Sequence, residues 1–282
     1  MRTMARIQRS RAAAAPAIGA LLQYWRKTRN MSQLALANEA NVSPRHVCFL
    51  ETGRAKPSRE MVVHLADTLS IPLRERNALL MAAGFAPSYR ESSLDAPQLA
   101  SVRAAIDAIL AKQEPYPAVV MNRGWDIIAT NGAAACFFGM LLSGRTPPDP
   151  NNVLRLMFHP DGLRASVTNW DAVAPALVQR LHREAIGGVL DERSRELLAE
   201  ILRYPGVPPS WHRLDPGAAL LPVLPVSFQH GPLRFEFFSA VTVLGTPQDI
   251  TLQELRIESF FPADTETETA TRRLAADGPD SR

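Results

Sequence analysis

Cysteine is scarce in this sequence. Cys48 and Cys136 are the only two, far apart in a chain of 282 residues. That excludes a disulfide framework and a cysteine-based metal site, and the cytoplasm, a reducing compartment, is the expected setting. Long apolar runs are also missing, although 46% of the residues are hydrophobic. No stretch reaches the length that spans a bilayer, so no membrane partner is expected. The start, MRTMARIQRSRAAAAPAIGALL, is basic but lacks an apolar core followed by a small-residue cleavage site, and no signal peptide is read there. The histidines His159, His182, His212 and His230 are scattered without metal-ligand spacing. No Ser or Cys sits in a nucleophile-elbow context, and no glycine loop suits a phosphate. These absences argue against an enzyme, a metal or a cofactor.

Acid is missing from the first 30 residues, which carry Arg2, Arg6, Arg9, Arg11, Arg26, Lys27 and Arg29. Residues 1–95 hold fourteen Lys and Arg against seven Asp and Glu, a net of +7, whereas the remainder nets −4. A basic third on an acidic remainder is the electrostatic footprint of a polyanion-binding domain. Residues 1–16 read as a disordered basic arm, either a solvated tail or a strand of charge lying along phosphates.

Periodicity and caps divide the rest. Residues 17–84 read as five short helices. Ile18, Leu21, Leu22 and Trp25 form one apolar stripe, and Ser32 caps a second helix. Ser43-Pro44 starts a third, with Val47 and Leu50 inward and Gly53 at its end. Pro57-Ser58 opens a fourth, and Pro72 a fifth that Gly84 closes. Residues 85–98 show no periodicity and read as a linker. Residues 99–264 mix helices with strands: Ala118–Met121, Trp125–Thr130 leading into a helix capped by Asn131, and three late strands. Leu233–Val243 alternates, with Phe235 and Phe237 on one side and Arg234 and Glu236 on the other. Leu255–Phe261 repeats the pattern. The late strands are expected to pair antiparallel, with Arg234, Glu236, Arg256 and Glu258 outward and Phe235, Phe237 and Ile257 inward. Residues 265–282 are polar and read as a disordered tail. The expected fold class is an all-α, five-helix helix-turn-helix domain followed by an α+β domain with an antiparallel sheet.

The segment RNMSQLALANEANVSPRHVCFLETGRAKPS resembles the Cro/repressor-type helix-turn-helix, the xenobiotic-response-element class. The resemblance implies double-stranded operator DNA as partner, with Ser43–Thr52 entering the major groove. It places Arg29, Ser32, Gln33, Ser43, Pro44, Arg45, His46, Phe49, Arg54 and Lys56 at the DNA. Gln33 is expected on a phosphate, Arg45 on a guanine edge, and Arg54 and Lys56 on phosphates beyond the helix. Pro44 has no side-chain donor, which throws base reading onto Arg45. Phe49 has two readings, a thymine-methyl contact and a core residue, and His46 is either groove-facing or simply solvated. Arg26 and Glu51 are expected to pair structurally.

The second domain has a PAS-type pattern. EPYPAVVMNRGWDIIATNGAA, NNVLRLMFHPDGLR, VTNWDAVAPALVQRLHREA and GTPQDITLQELRIESFFPAD, together with the helix-turn-helix, resemble the MmyB-like regulators, whose C-terminal domain is a PAS-like ligand-binding module. The resemblance implies a one-component transcriptional regulator, a homodimer on a two-fold operator, and an apolar or amphipathic small-molecule ligand. Met121, Phe137, Phe158, Trp170, Phe235 and Phe237 are the expected cavity wall, with Phe138, Met157 and Phe228 further candidates. None brings a charge. Arg123 or Arg155 is placed at the rim, opposite a ligand carboxylate. Two alternatives stay open: a domain that only dimerises or binds a protein, and a helix-turn-helix that serves protein interaction.

Overall fold

The computed structural model describes residues 17–147, 149, 151–187, 192–213, 225–245 and 247–276. The expected basic arm lies outside them. The chain forms two units, divided between Tyr89 and Arg90.

The first unit is helical: α1 (Ile18–Thr28), α2 (Gln33–Glu39), α3 (Pro44–Glu51), α4 (Arg59–Thr68) and α5 (Leu73–Ala82). Three serines start helices by the same device. The hydroxyls of Ser32, Ser43 and Ser58 accept from the backbone N–H of Ala35, His46 and Met61, satisfying donors that the first turn leaves unpaired. Gly53 and Gly84 follow α3 and α5 with φ of +71° and +88°, the left-handed geometry that ends a helix without a Cβ penalty. Leu21, Leu22, Trp25, Leu36, Val47 and Leu50 are among the fully buried residues that hold α1, α2 and α3 together.

Gly19 lies buried inside α1, where glycine costs helix propensity. A Cβ there would sit 2.5 Å from the Glu51 carbonyl oxygen and 2.7 Å from that of Leu50. The bare backbone therefore lets α1 rest directly on the end of α3. Gly19→Ala should destabilise this unit by about 1–3 kcal/mol, because the obstructing atoms are backbone and cannot swing away. Denaturant titration checks this: helix propensity alone predicts a gain, so a variant as stable as the parent contradicts the close approach.

The stretch expected as a linker is anchored instead. Asn77 Oδ1 accepts from the backbone N–H of Ser88 and Tyr89, fixing 85–89 to the first unit. Ser92 N–H donates to Asp249, and Thr251 Oγ1 donates to the Ser92 carbonyl, fixing the next residues to the second. Side-chain acceptors on distant segments, invisible to local periodicity, supply the anchors.

The second unit contains α6 (Ala100–Gln113), β1 (Ala118–Met121), β2 (Ile127–Thr130), α7 (Gly132–Leu142), α8 (Val153–Phe158), α9 (Trp170–Gly187), α10 (Glu192–Ile201), β3 (Pro225–His230), β4 (Leu233–Val243), α11 (Ile250–Glu254), β5 (Arg256–Pro262) and α12 (Thr265–Ala276). The strands form one antiparallel sheet in the order β2-β1-β5-β4-β3. Both faces are covered. Ile106 and Leu110 of α6 pack on Ala118, Val120 and Ile257. On the other face Met121, Phe228, Phe235 and Phe237 meet residues of α7, α8 and α9.

The expected register of the late strands is half wrong. Phe235 and Phe237 are buried as expected. However, Val241 pairs with Glu258, Thr242 with Ile257 and Val243 with Arg256. Directly paired residues share a face, so Arg256 and Glu258 lie on the same side as Phe237, and Ile257 faces α6. The charges do not meet across the ladder either, because Arg234 and Glu236 pair with Gln229 and Ser227 of β3.

The expected disordered tail is also corrected for residues 265–276, which form α12. Asp264 Oδ1 accepts from Thr267 N–H, and Glu266 and Glu268 occupy the first turn with Arg273 in the last, an order that suits the helix dipole. Ala270 and Leu274 pack on the core, and the buried Thr267 hydroxyl accepts from Glu236 N–H in β4. These contacts, with the Tyr116 hydroxyl donating to Glu268 and the Cys136 thiol to the Leu274 carbonyl, dock a helix whose composition is otherwise that of a polar tail.

Candidate nucleic-acid interface and ligand cavity

The cap at Ser43 and the proline at the first position of α3 leave Ser43, Pro44 and Arg45 exposed, while Val47 and Leu50 point into the core. His46 and Phe49 are half-buried. The Phe49 ring is close to two guanidinium groups, with Arg45 5.0 Å and Arg54 6.0 Å from its centroid. Each such contact contributes about 0.5–1 kcal/mol at an exposed site, and here both hold a cation at the outer surface of α3. Lys56 is exposed beyond the helix.

Behind this surface lies a tight polar knot. Arg26 Nε donates to Glu51 Oε1 at 2.6 Å and Arg26 Nη2 to Oε2 at 2.8 Å, a bidentate pair. Gln33 Nε2 donates to the same Oε2 at 2.7 Å, and Arg26 Nη1 donates to the Met31 carbonyl at 2.8 Å. Burial pushes the Glu51 carboxyl up, but hydrogen bonds from Arg26, Gln33 and Gln23 and the Arg26 charge together hold it below the usual carboxylate range. The knot ties α1, α2 and the end of α3 together. Gln33, assigned from sequence to a phosphate, thus has one amide hydrogen committed to Glu51. Arg29 is further from that assignment: its Nε and Nη2 donate to the Leu69 and Ser70 carbonyls at 2.9 Å each, closing the C-terminal end of α4.

In the second unit a cavity of about 70 Å³ lies between the inner face of the sheet and the helices. Of the six residues expected to line it, only Met121 does, joined by Phe138, Met157 and Phe228 from the wider set. The others are packed solid. Phe137 meets Phe228, Phe235 and Phe237 edge-on at 5.4, 5.1 and 5.3 Å, and Phe158 meets Trp170 at 5.0 Å. Edge-to-face contacts at these distances fill space, so the densest aromatic cluster is where a void does not form.

Several lining residues were missed from sequence, notably Trp125, Ser239, Glu258 and Phe260. Trp125 is fully buried with φ of +64°, a conformation costing a bulky residue about 1–3 kcal/mol. The Arg123-Gly124 turn signal marked the place, but the left-handed residue is the tryptophan after it. Its indole Nε1 donates to Glu184 Oε2 at 2.8 Å, and its ring is flanked by Arg180 at 4.6 Å and Arg256 at 5.6 Å. Glu184 in turn lies 2.7 Å from Arg256. The two arginines expected at the rim are already paired: Arg123 with Glu254 at 3.3 Å, and Arg155 with Glu200 at 2.8 Å and Asp149 at 2.6 Å. The hydrogen bonds that Arg155 donates to Glu200 are the leading cause both of the raised Arg155 pKa and of the lowered Glu200 pKa.

Comparison with known proteins gives these features a family. Residues 102–274 match the model described as the MmyB-like transcription regulator ligand binding domain, and residues 22–76 match a helix-turn-helix model. The chain belongs to the MmyB-like transcription regulators. The first of those matches alone covers more than half of the sequence and takes in most of α12, the helix that composition concealed. This MmyB-like regulator is a DNA-binding protein, with a helix-turn-helix in its first unit and a ligand-binding domain of α+β class in its second. Both matches are to regulator domains and neither is to an enzyme. No curated protein matches the chain significantly. Among solved structures the chain is similar to one described as an RNA-binding light-oxygen-voltage receptor. Identity is 12% and the TM-score 0.26, with 93% of this chain and 62% of that one covered. Among the described residues, no helix of the MmyB-like regulator is long and apolar enough to cross a membrane, and no group of His, Cys, Asp or Glu is arranged to hold a metal ion.

Proposed function

We propose that the protein is a one-component regulator of the cytoplasm and nucleoid. It reads a two-fold operator as a homodimer through α3, and its operator affinity responds to a small apolar or amphipathic molecule held in the second unit. The observation that carries the DNA reading is the exposed first turn of α3, where Arg45 rests on the Phe49 ring with Arg54 also near that ring. An arginine so placed on a recognition helix suits a bidentate contact to guanine, worth about 1–3 kcal/mol of discrimination. Phe49 then serves as the platform that limits where Arg45 can point. Two-fold symmetry follows from the limited reach of one short helix, since paired half-sites supply affinity that a single one does not.

Arg45→Ala should lose roughly 5–150-fold in preference for the operator over a substituted site, which corresponds to that range of energies. Arg54→Ala and Lys56→Ala should weaken all sequences alike and flatten the dependence on salt, by about one unit of slope per phosphate contact. Footprinting titrations on operator and scrambled DNA measure both. An Arg45→Ala protein with unchanged base preference would remove α3 from the base-reading role.

A second reading of the C-terminal unit is favoured by the solid Phe137 cluster: a domain that only dimerises or binds a protein partner. Ligands that bind the folded state raise its melting temperature by mass action, whereas a domain of this second kind shows no shift with any small apolar compound.

A further inference from the structure

Among the lining residues of the 70 Å³ cavity, Ser239 and Glu258 carry the polar side chains apart from the Trp125 indole N–H, which is spent on Glu184. Ser239 Oγ donates to Glu258 Oε1 at 2.7 Å, and among the described residues no cation is paired with this carboxylate. Arg256, two residues earlier on the same face of β5, is turned to Glu184 and Trp125. Glu258 stands in the middle strand of the sheet, paired with Val119 on one side and Val241 on the other. Val119 is 4% exposed and Val241 40%, so the carboxylate marks the passage from the closed apolar interior to solvent. Met121, Phe228 and Phe260 form the apolar wall beyond it.

We propose that this cavity selects a short apolar molecule carrying a cationic or strongly donating head, such as an alkylamine or arylamine. The apolar body lies against Met121, Phe228 and Phe260, and the head donates to Glu258. This rests on the proposed ligand-sensing role of the cavity and adds the chemical class of its ligand. A half-buried carboxylate whose partner among the described residues is a neutral hydroxyl favours the charged form of a donor placed against it, through a charge-assisted hydrogen bond. It disfavours a ligand carboxylate at the same point, where two like charges would share a poorly solvated site. Arg123 and Arg155, the groups that would otherwise welcome an acid, are already held by Glu254, Glu200 and Asp149. The volume admits only a few heavy atoms, so the body is short.

Calorimetric titration of the full chain with butylamine, butanol and butyrate tests this, since the three share one apolar body. Butylamine should bind roughly tenfold more tightly than butanol, and butyrate more weakly than either. Glu258→Gln should level amine and alcohol while leaving the alcohol affinity unchanged. Glu196→Gln, an exposed carboxylate on α10, should change nothing. If butyrate equals or exceeds butylamine, or Glu258→Gln keeps the amine preference, the assignment of ligand class is overturned while a binding alcohol keeps the cavity's sensing role. If none of the three binds, both readings fall. The wild-type series decides the question even where Glu258→Gln folds poorly.

Discussion

Glu51→Ala should cost the N-terminal unit about 3–5 kcal/mol, the penalty for removing one partner of a buried ion pair. The Arg26 side chain is only 9% exposed and that of Glu51 1%. Without the carboxylate, Arg26 keeps its bond to the Met31 carbonyl, but Nε and Nη2 are left facing a vacated interior. Gln33 loses its acceptor as well. Because the pair joins α1 to the end of α3, the reading surface should loosen with it, and operator affinity should fall although Glu51 touches no base. The same carboxylate sets a pH dependence. Its folded pKa lies below the ordinary value, since the hydrogen bonds from Arg26, Gln33 and Gln23 with the Arg26 charge outweigh the burial that would raise it. The stabilisation is therefore complete above the ordinary carboxylate pKa and drains away as pH falls through the lowered one. Thermal melts of parent and variant at neutral and acid pH check both points: the gap between them should be widest at neutral pH and narrow in acid. Equal melting temperatures at neutral pH would show that the pair carries no stability.

Asn131→Ala should cost the second unit about 3–7 kcal/mol. Asn131 is 6% exposed and uses both ends of its amide. Oδ1 accepts from Ala134 N–H, capping α7, and from Ala118 N–H at the start of β1, each at 2.9 Å. Nδ2 donates to the Tyr116 carbonyl at 2.8 Å. Loss of the cap accounts for about 1 kcal/mol. The Ala118 N–H and the Tyr116 carbonyl would then be left buried without partners, at about 1–3 kcal/mol each. Asn131→Asp separates these contributions, because it keeps the acceptor and removes the donor. Chemical denaturation of the three proteins should rank parent, then Asp, then Ala. If Asn131→Ala loses no more than a single cap's worth, water reaches the vacated groups and the wider role of Asn131 fails.

Local rules were enough for elements whose evidence is local. Ser32, Ser43 and Ser58 start helices, Gly53 and Gly84 follow them, and apolar spacing marks α1, α3 and α4, because each signal acts within one turn of the chain. Asn131 was legible as a helix cap for the same reason, while its second hold on β1 was not, since Ala118 lies thirteen residues earlier. Arg26 and Glu51 were paired through the family resemblance, as nothing in their spacing brings residues on α1 and α3 together. Gly19 was passed over. An isolated glycine inside a helical pattern is a recognised sign of close packing, yet only the structure shows the carbonyls of Leu50 and Glu51 beneath it.

The sequence by itself determined the two-part organisation, the helices of the first unit and the existence of the late strands. The tertiary structure decided which side of β5 is the inside. Alternation has a period of two and sorts residues into two sets, but it names the inner set only where one face meets water. Here α6 covers one face and α7, α8 and α9 the other, so polarity loses its meaning, and Arg256 and Glu258 turn inward to Glu184 and Ser239. The tertiary structure also decided where the cavity lies. A void is the place that side chains from separate elements fail to fill, and most of the aromatics singled out from sequence, Phe137, Phe158, Trp170, Phe235 and Phe237, pack on one another instead.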